Sequence, residues 1–222
     1  MCTTTILSID PATCTGWAMF ELDRQAETVT LKEYGAVEVD KRAELEGDRM
    51  LSLRHQIAAL IDRQPPEHVH IETYFFNRRT CNGSDVNVLL RGAIYQLLCE
   101  RKIGYTLHAP THWKKFIGGT AVPRKSDIEK FGKARAAKAY IAAALGAKFG
   151  IHFPSHTRIG GRRLTFKSDI SDAVGIGLYG ILCNAPTFRV QPNDARDPEI
   201  TVTLGTSDEP PLAAPATIPN EL

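Results

Sequence analysis

Runs of apolar residues along the chain have two distinct periods, and the first kind predicts strands. Residues 4–9 are β-branched and apolar and stop at Asp10, whose neighbour is a proline, as expected of a buried strand that ends there. Residues 17–22 and 28–39 follow across short polar connections, which favours an antiparallel meander. The predicted strands are 4–9, 17–22, 28–39, 68–72 and 104–109.

The second kind of run repeats at intervals of three and four residues and predicts amphipathic helices. In residues 43–63 this spacing includes Ile57 and Ile61, and a Pro-Pro pair ends the pattern. Residues 149–167 have no clear period, and we expect a mobile basic loop there. The predicted helices are 43–63, 86–98, 112–117, 126–145 and 169–183. This order of elements favours an α/β fold with a mixed five-stranded sheet flanked by helices.

Composition divides the chain into two parts. Residues 1–184 are predicted to form one domain, and residues 185–222 are a Pro-rich acidic tail that we predict to be disordered. No apolar run approaches the ~20 residues that a membrane helix needs, and the first residues contain no targeting signal, so we expect a cytoplasmic protein. The five cysteines include no Cys-x-x-Cys pair, which indicates neither a disulfide framework nor a zinc site.

Charge is distributed unevenly along the chain. The net charge is +2, but six acids and a single arginine lie after residue 189, and the remainder has 26 lysines and arginines against 19 acids. Residues 112–138 contain eight basic residues against Asp127 and Glu129. Such a patch fits a polyanionic partner, although a solvated helix face would have the same composition.

Four carboxylates are placed where they can meet. Asp10 and Glu72 each end a predicted strand, so they lie at one edge of the sheet if those strands are parallel neighbours. Asp169 and Asp172 are three residues apart and share one helix face. Converging carboxylates repel each other unless cations neutralise them, and such oxygen ligands select Mg²⁺ or Mn²⁺. Two such ions about 4 Å apart hydrolyse phosphodiesters without a protein nucleophile.

Each acid taken alone has an ordinary structural explanation. Asp10 before a proline could cap a turn, Glu72 could be a surface residue at a strand end, and Asp169 could be a helix N-cap. The metal-site hypothesis therefore depends on the four acids acting together.

Three segments resemble the motifs of the RuvC-type Holliday junction resolvases, which belong to the RNase H-like superfamily. These are residues 6–18, where Asp10-Pro11 precedes Thr15-Gly16-Trp17; residues 69–76, with Glu72 and Phe75; and residues 168–173, with Asp-x-x-Asp-Ala. The first segment is one residue shorter than the family motif, and Ala12 replaces the usual glycine. Lys114 and Lys125, eleven residues apart, resemble the two functional lysines of the family.

The resemblance implies an RNase H-like fold and a homodimeric endonuclease that nicks four-way DNA junctions in recombination and repair. It further implies that Asp10, Glu72, Asp169 and Asp172 bind two Mg²⁺ ions, with Mn²⁺ as a substitute, and that Lys125 takes part in catalysis. An aromatic side chain beside arginines suits stacking on unpaired bases, although a phenylalanine pair is also common in a core. The residues expected to contact DNA are Phe75, Phe76, Arg78, Arg79, Lys114, Lys115, Arg124 and Lys125.

Other functions are compatible with parts of this pattern. A ribonuclease H acting on RNA:DNA hybrids, or a phage-type nuclease with broader branched-DNA or flap activity, would keep the same carboxylates. A non-catalytic junction-binding protein would be expected to lose one or more of them, and all four are present. Sugar kinases and actin-like ATPases also begin with a strand and an acid, but Pro11-Ala12 offers no glycine-rich phosphate loop.

Overall fold

The protein is built around one mixed β-sheet. The computed structural model describes residues 3–39, 45–73, 84–154, 156–159, 162–165, 168–185 and 187–191. In this part of the chain, no helix has the length and apolar character needed to cross a membrane.

The central sheet has six strands, and a separate hairpin has two. The sheet strands are β1 (Thr3–Asp10), β2 (Cys14–Asp23), β3 (Thr28–Glu38), β4 (His68–Glu72), β5 (Gly104–His108) and β8 (Arg189–Gln191); the hairpin strands are β6 (His156–Ile159) and β7 (Arg162–Thr165). The order across the sheet is β5-β4-β1-β2-β3-β8. β1 is antiparallel to β2, as β2 is to β3, whereas β4 runs parallel to both β1 and β5. The predicted meander and the mixed α/β architecture are confirmed.

Helices cover both faces of this sheet because side chains on a strand alternate in direction. The helices are α1 (Glu46–Arg63), α2 (Ser84–Glu100), α3 (Pro110–Gly118), α4 (Lys125–Phe131), α5 (Lys133–Phe149) and α6 (Ser168–Asn184). On β1, Leu7 and Ile9 point into a core closed by α1 and α2. Ile6 faces the opposite core, which α3, α5 and α6 close. Alternate residues of β1 therefore face different helical layers, one on each side of the sheet.

The prediction of five strands in the sheet is wrong, because the sheet has a sixth. β8 pairs in parallel with the start of β3, and the Arg189 amide donates to the Glu27 carbonyl at 2.8 Å. Three residues in a polar context are too few to give a readable alternation. The division into residues 1–184 and a tail stays a prediction, and residues 192–222 lie outside the described part.

Two other elements differ from the sequence prediction. The long helix predicted over 126–145 is two helices, α4 and α5, separated at Gly132, whose φ of 75° and ψ of 150° are incompatible with a continuous helix. The segment 149–167, predicted as a loop, contains the antiparallel pair β6 and β7. Each of these strands has four residues, which is too short for its period to stand out.

Candidate active site

The ends of β1 and β4 place two of the predicted acids together. The last pair in the parallel register of these strands is Ile9 with Ile71, so Asp10 and Glu72 follow side by side at the C-terminal edge of the sheet. Asp10 is 7% exposed. The turn after it is closed by Thr15, whose hydroxyl donates to the Ala12 carbonyl at 2.6 Å.

Helix α6 carries the other two acids to the same edge. The Ser8 hydroxyl on β1 donates to the Ala173 carbonyl at 2.7 Å, which ties the first turns of α6 to the centre of the sheet. Gly16 on β2 lies directly under the start of α6, where a β-carbon would overlap the carbonyl of Asp169. Since Gly16 is also the strand partner of Asp10, this contact sets the distance between β1 and the acids of α6.

Glu72 is held by side chains from two helices. The indole N–H of Trp113 on α3 donates to Glu72 Oε1 at 3.0 Å. Arg91 on α2 places its Nη2 4.0 Å from Glu72 Oε2, and its Nε donates to the Glu72 backbone carbonyl at 3.3 Å. Both carboxylate oxygens of Glu72 therefore have a protein partner.

Asp172 has a counter-charge of its own. The Nζ of Lys114 on α3 lies 3.7 Å from Asp172 Oδ2, and both side chains are largely shielded from solvent, at 25% and 22% exposure. Because Lys114 directly follows Trp113, one turn of α3 contacts two of the four acids.

The four carboxylates share one electrostatic environment. Burial raises the pKa of Asp10 well above its ordinary range, and the negative charges of Glu72, Asp172 and Asp169 raise it further against the opposing effect of Lys114. Burial likewise raises the pKa of Asp172 to about 7; Lys114 opposes this, and Glu72 and Asp169 add to it. At neutral pH the ionised forms of Asp10 and Asp172 are therefore disfavoured in the metal-free protein.

A nearby cation would stabilise these ionised forms, and the carboxylate oxygens of the four acids are the ligands that a divalent cation such as Mg²⁺ prefers. Within the described ranges, no three aspartate, glutamate, histidine or cysteine side chains are gathered closely enough to hold an ion as they stand. In this arrangement Glu72 contacts Trp113 and Asp172 contacts Lys114. The fold nevertheless brings the four acids to one edge of the sheet, where their charges act on one another as a cation site requires.

The basic residues predicted to contact DNA are placed differently from one another. Lys114 lies inside the carboxylate cluster, whereas Lys115, Arg124 and Lys125 are exposed, the last as the first residue of α4. Among the described residues, Lys125 forms no ion pair with any of the four acids. The predicted DNA contacts Phe75, Phe76, Arg78 and Arg79 lie outside the described residues.

Sequence reasoning did not identify Trp113, Arg91 or Ser8 as parts of this site. Each acts through a contact between elements that are distant in sequence, such as the 41 residues between Trp113 and Glu72. Of these three residues, only Trp113 could have been suspected from the sequence, because it is adjacent to Lys114, which resembles a functional lysine of the family. Local spacing cannot reveal contacts of this kind.

The chain is similar to known nucleases. The family model of crossover junction endodeoxyribonuclease RuvC matches residues 6–136. RuvC from Prochlorococcus marinus (strain MIT 9301) is 28% identical over 124 residues, which are 55% of this chain and 76% of that protein.

Two solved structures share the fold. Thermus thermophilus RuvC in complex with a Holliday junction substrate has a TM-score of 0.58 at 16% identity, covering 84% of this chain and 99% of that one. The yeast mitochondrial Holliday junction resolvase Ydc2 has a TM-score of 0.50 at 14% identity, covering 83% of this chain and 80% of that one. The family match covers more than half of the 222 residues and includes Asp10 and Glu72. The chain belongs to the RuvC family of crossover junction endodeoxyribonucleases.

Proposed function

We propose that this protein is an endonuclease that resolves four-way DNA junctions by hydrolysing phosphodiester bonds with two Mg²⁺ ions. The observation that carries the proposal is the cluster of four acids at one sheet edge, where burial and the neighbouring negative charges raise the pKa of Asp10 and Asp172. Membership of the RuvC family and the junction-bound state of the Thermus relative support the choice of substrate.

We assign the metal ligands to Asp10, Glu72, Asp169 and Asp172. Held by these residues, divalent ions would supply the positive charge needed to polarise the scissile phosphate and to activate the attacking water. The protein contributes a rigid cradle, because Asp10 and Glu72 extend from neighbouring parallel strands and α6 is tied to β1 through Ser8. Lys114 supplies a positive charge beside Asp172. In this proposal, Lys125 contacts the phosphate of the DNA and takes part in catalysis.

DNA binding in this proposal uses the basic surface and a dimer. Outside the acidic tail the chain has an excess of seven positive charges, which suits the dense phosphates of a branched duplex. A homodimer would present two active sites and account for paired nicks across the junction. Light scattering coupled to gel filtration measures this: a mass of twice 24.5 kDa is expected.

The test of the function is cleavage of a labelled synthetic four-way junction beside linear duplex, flap and RNA:DNA hybrid of the same sequence. Paired symmetric nicks on the junction are expected with Mg²⁺ and not with EDTA. Asp10→Asn and Glu72→Gln should abolish them. Asp62→Asn is the matched control, because Asp62 is 52% exposed on α1 and pairs with Arg101.

The comparison substrates separate the alternatives. Preferred cleavage of flaps would keep the metal site and assign a broader branched-DNA nuclease, and preferred cleavage of the hybrid would assign a ribonuclease H. Junction binding without metal-dependent cleavage would overturn the proposal.

A further inference from the structure

The contact between Trp113 and Glu72 goes beyond what a core tryptophan requires. The Trp113 side chain is fully buried and its N–H reaches Glu72 Oε1 at 3.0 Å. A buried indole needs an acceptor, but most backbone carbonyls would serve. Here the acceptor is a carboxylate at the end of β4, in the centre of the candidate metal site.

The indole ring cannot change its place without disturbing α6. A β-carbon on Gly175 would lie 2.9 Å from Trp113 Cζ3, so the helix accommodates the ring only because this residue is a glycine. Gly175 is three residues after Asp172 and therefore lies on the same side of α6. The ring thus touches the helix that carries Asp172 while its nitrogen holds the acid of β4.

The second tryptophan of the chain shows that such a bond is not automatic. Trp17 is 3% exposed, and its indole nitrogen has no hydrogen-bond partner among the described residues. The two tryptophans therefore form a natural comparison: both are buried, and only Trp113 donates to an acid.

We propose that Trp113 is a positioning residue for Glu72: its hydrogen bond to Oε1 holds the carboxylate in one orientation at the end of β4 and leaves further lone pairs available to a cation. A carboxylate oxygen that accepts one hydrogen bond keeps capacity for a cation. Arg91, near the other oxygen, restrains rotation from the opposite side. The inference rests on the proposed function, because it takes Glu72 to be a metal ligand.

The test uses Trp113→Phe, which keeps an aromatic ring in the slot and removes the donor. Partners that orient metal ligands typically contribute 10- to 100-fold in metal affinity or activity. We therefore expect the dissociation constant for Mn²⁺, measured by calorimetry, and the Mg²⁺ concentration for half-maximal cleavage to rise about tenfold. Trp17→Phe, which removes an unpaired N–H, should leave both within twofold.

A purely structural role would leave metal affinity unchanged once the protein is folded, so thermal denaturation in EDTA accompanies each titration. If Trp113→Phe does not fold, benzothienylalanine at position 113 keeps the ring size and replaces the N–H by sulfur. Unchanged metal affinity in a folded variant would overturn the inference.

Glu72→Gln, measured in parallel, separates this result from the proposed function. If Glu72→Gln loses metal binding and cleavage while Trp113→Phe keeps both, only the positioning role is wrong. If Glu72→Gln keeps both, the assignment of Glu72 as a ligand fails, and the inference fails with it.

Discussion

Removal of one carboxylate is expected to stabilise the metal-free protein while it destroys the active site. The pKa of Asp172 is about 7 in the folded chain, against an ordinary 3.8, so the folded state disfavours the ionised form. Above pH 7 the group is charged in both states, and the difference corresponds to an upper bound of about 4 kcal/mol. Asp172→Asn removes this cost, but it also leaves Lys114 without its partner. We expect a net gain of roughly 1–3 kcal/mol at pH 8 in EDTA.

The sign of the pH dependence follows from the same shift. Because its pKa is raised in the folded state, the contribution of Asp172 makes the wild-type protein more stable as the pH falls from about 7 towards 4. The advantage of Asp172→Asn should therefore be largest at pH 8 and shrink towards pH 5. Comparison of variant with wild type at each pH cancels the contribution of titrating groups that do not interact with Asp172. Asp10 does interact with it, and because the Asp172 charge raises the pKa of Asp10, relief of Asp10 in the variant acts in the same direction.

The assay is urea denaturation in EDTA at pH 5 and pH 8, with Asp62→Asn as the control. Asp62 is exposed and lies on α1, and its loss should change the free energy of unfolding by less than about 0.5 kcal/mol. Mg²⁺ should then stabilise the wild type more than the variant. If Asp172→Asn is destabilised equally at both pH values, the argument that the acids repel each other in the folded protein is refuted.

Three further perturbations test the positions of other residues. Gly16→Ala should push α6 away from β2, which should lower the free energy of unfolding in urea by roughly 1–3 kcal/mol and abolish cleavage. Gly92→Ala, with open space around it, should be neutral or stabilising, and equal effects of the two substitutions would contradict the contact at Gly16. Burial lowers the pKa of His70 to about 3, with smaller contributions from His108 and His68, so the contribution of His70 to stability is complete above pH 6.5 and is about 2 kcal/mol smaller at pH 5. Between these pH values the free energy of unfolding of His70→Asn should therefore change by about 2 kcal/mol relative to wild type, and a constant difference between the two proteins would exclude this role of His70. Lys114→Met should lower the cleavage rate at a saturating concentration of junction about tenfold or more. Lys115→Met should instead weaken junction binding and reduce its salt dependence by about one ion, and identical phenotypes would show that Lys114 acts only in binding.

The fold could be read from the sequence wherever elements were long or ended in a diagnostic residue. The sequence predicts β1 because a β-branched run stops at an acid followed by a proline. The prediction that Asp10 and Glu72 meet required only the assumption that β1 and β4 are parallel neighbours. β8 could not be read, since three residues give no period and only the backbone of β3 holds them. The break at Gly132 was missed because a single glycine inside a basic helical pattern is not by itself a stop signal.

The residues of the candidate site likewise include some that the sequence predicts and others that it does not. The acids could be proposed from sequence because strand ends and helical spacing are local properties. The side chains that hold them could not, since the donor to Glu72 comes from α3 and the anchor of α6 comes from Ser8, 165 residues from its partner Ala173. Such contacts depend on the packing of whole elements and have no signature in spacing.

These long-range contacts explain how α6 is placed against the sheet. The family match ends at residue 136, before the hairpin and before both acids of α6. On the sheet itself, the hydrogen bond from Ser8 and the close approach at Gly16 constrain the position of α6. α3 adds a second constraint, since the Trp113 ring packs on Gly175 of α6 while Lys114 neutralises Asp172. Contacts with the sheet and with α3 therefore hold the acids of α6 next to Asp10 and Glu72.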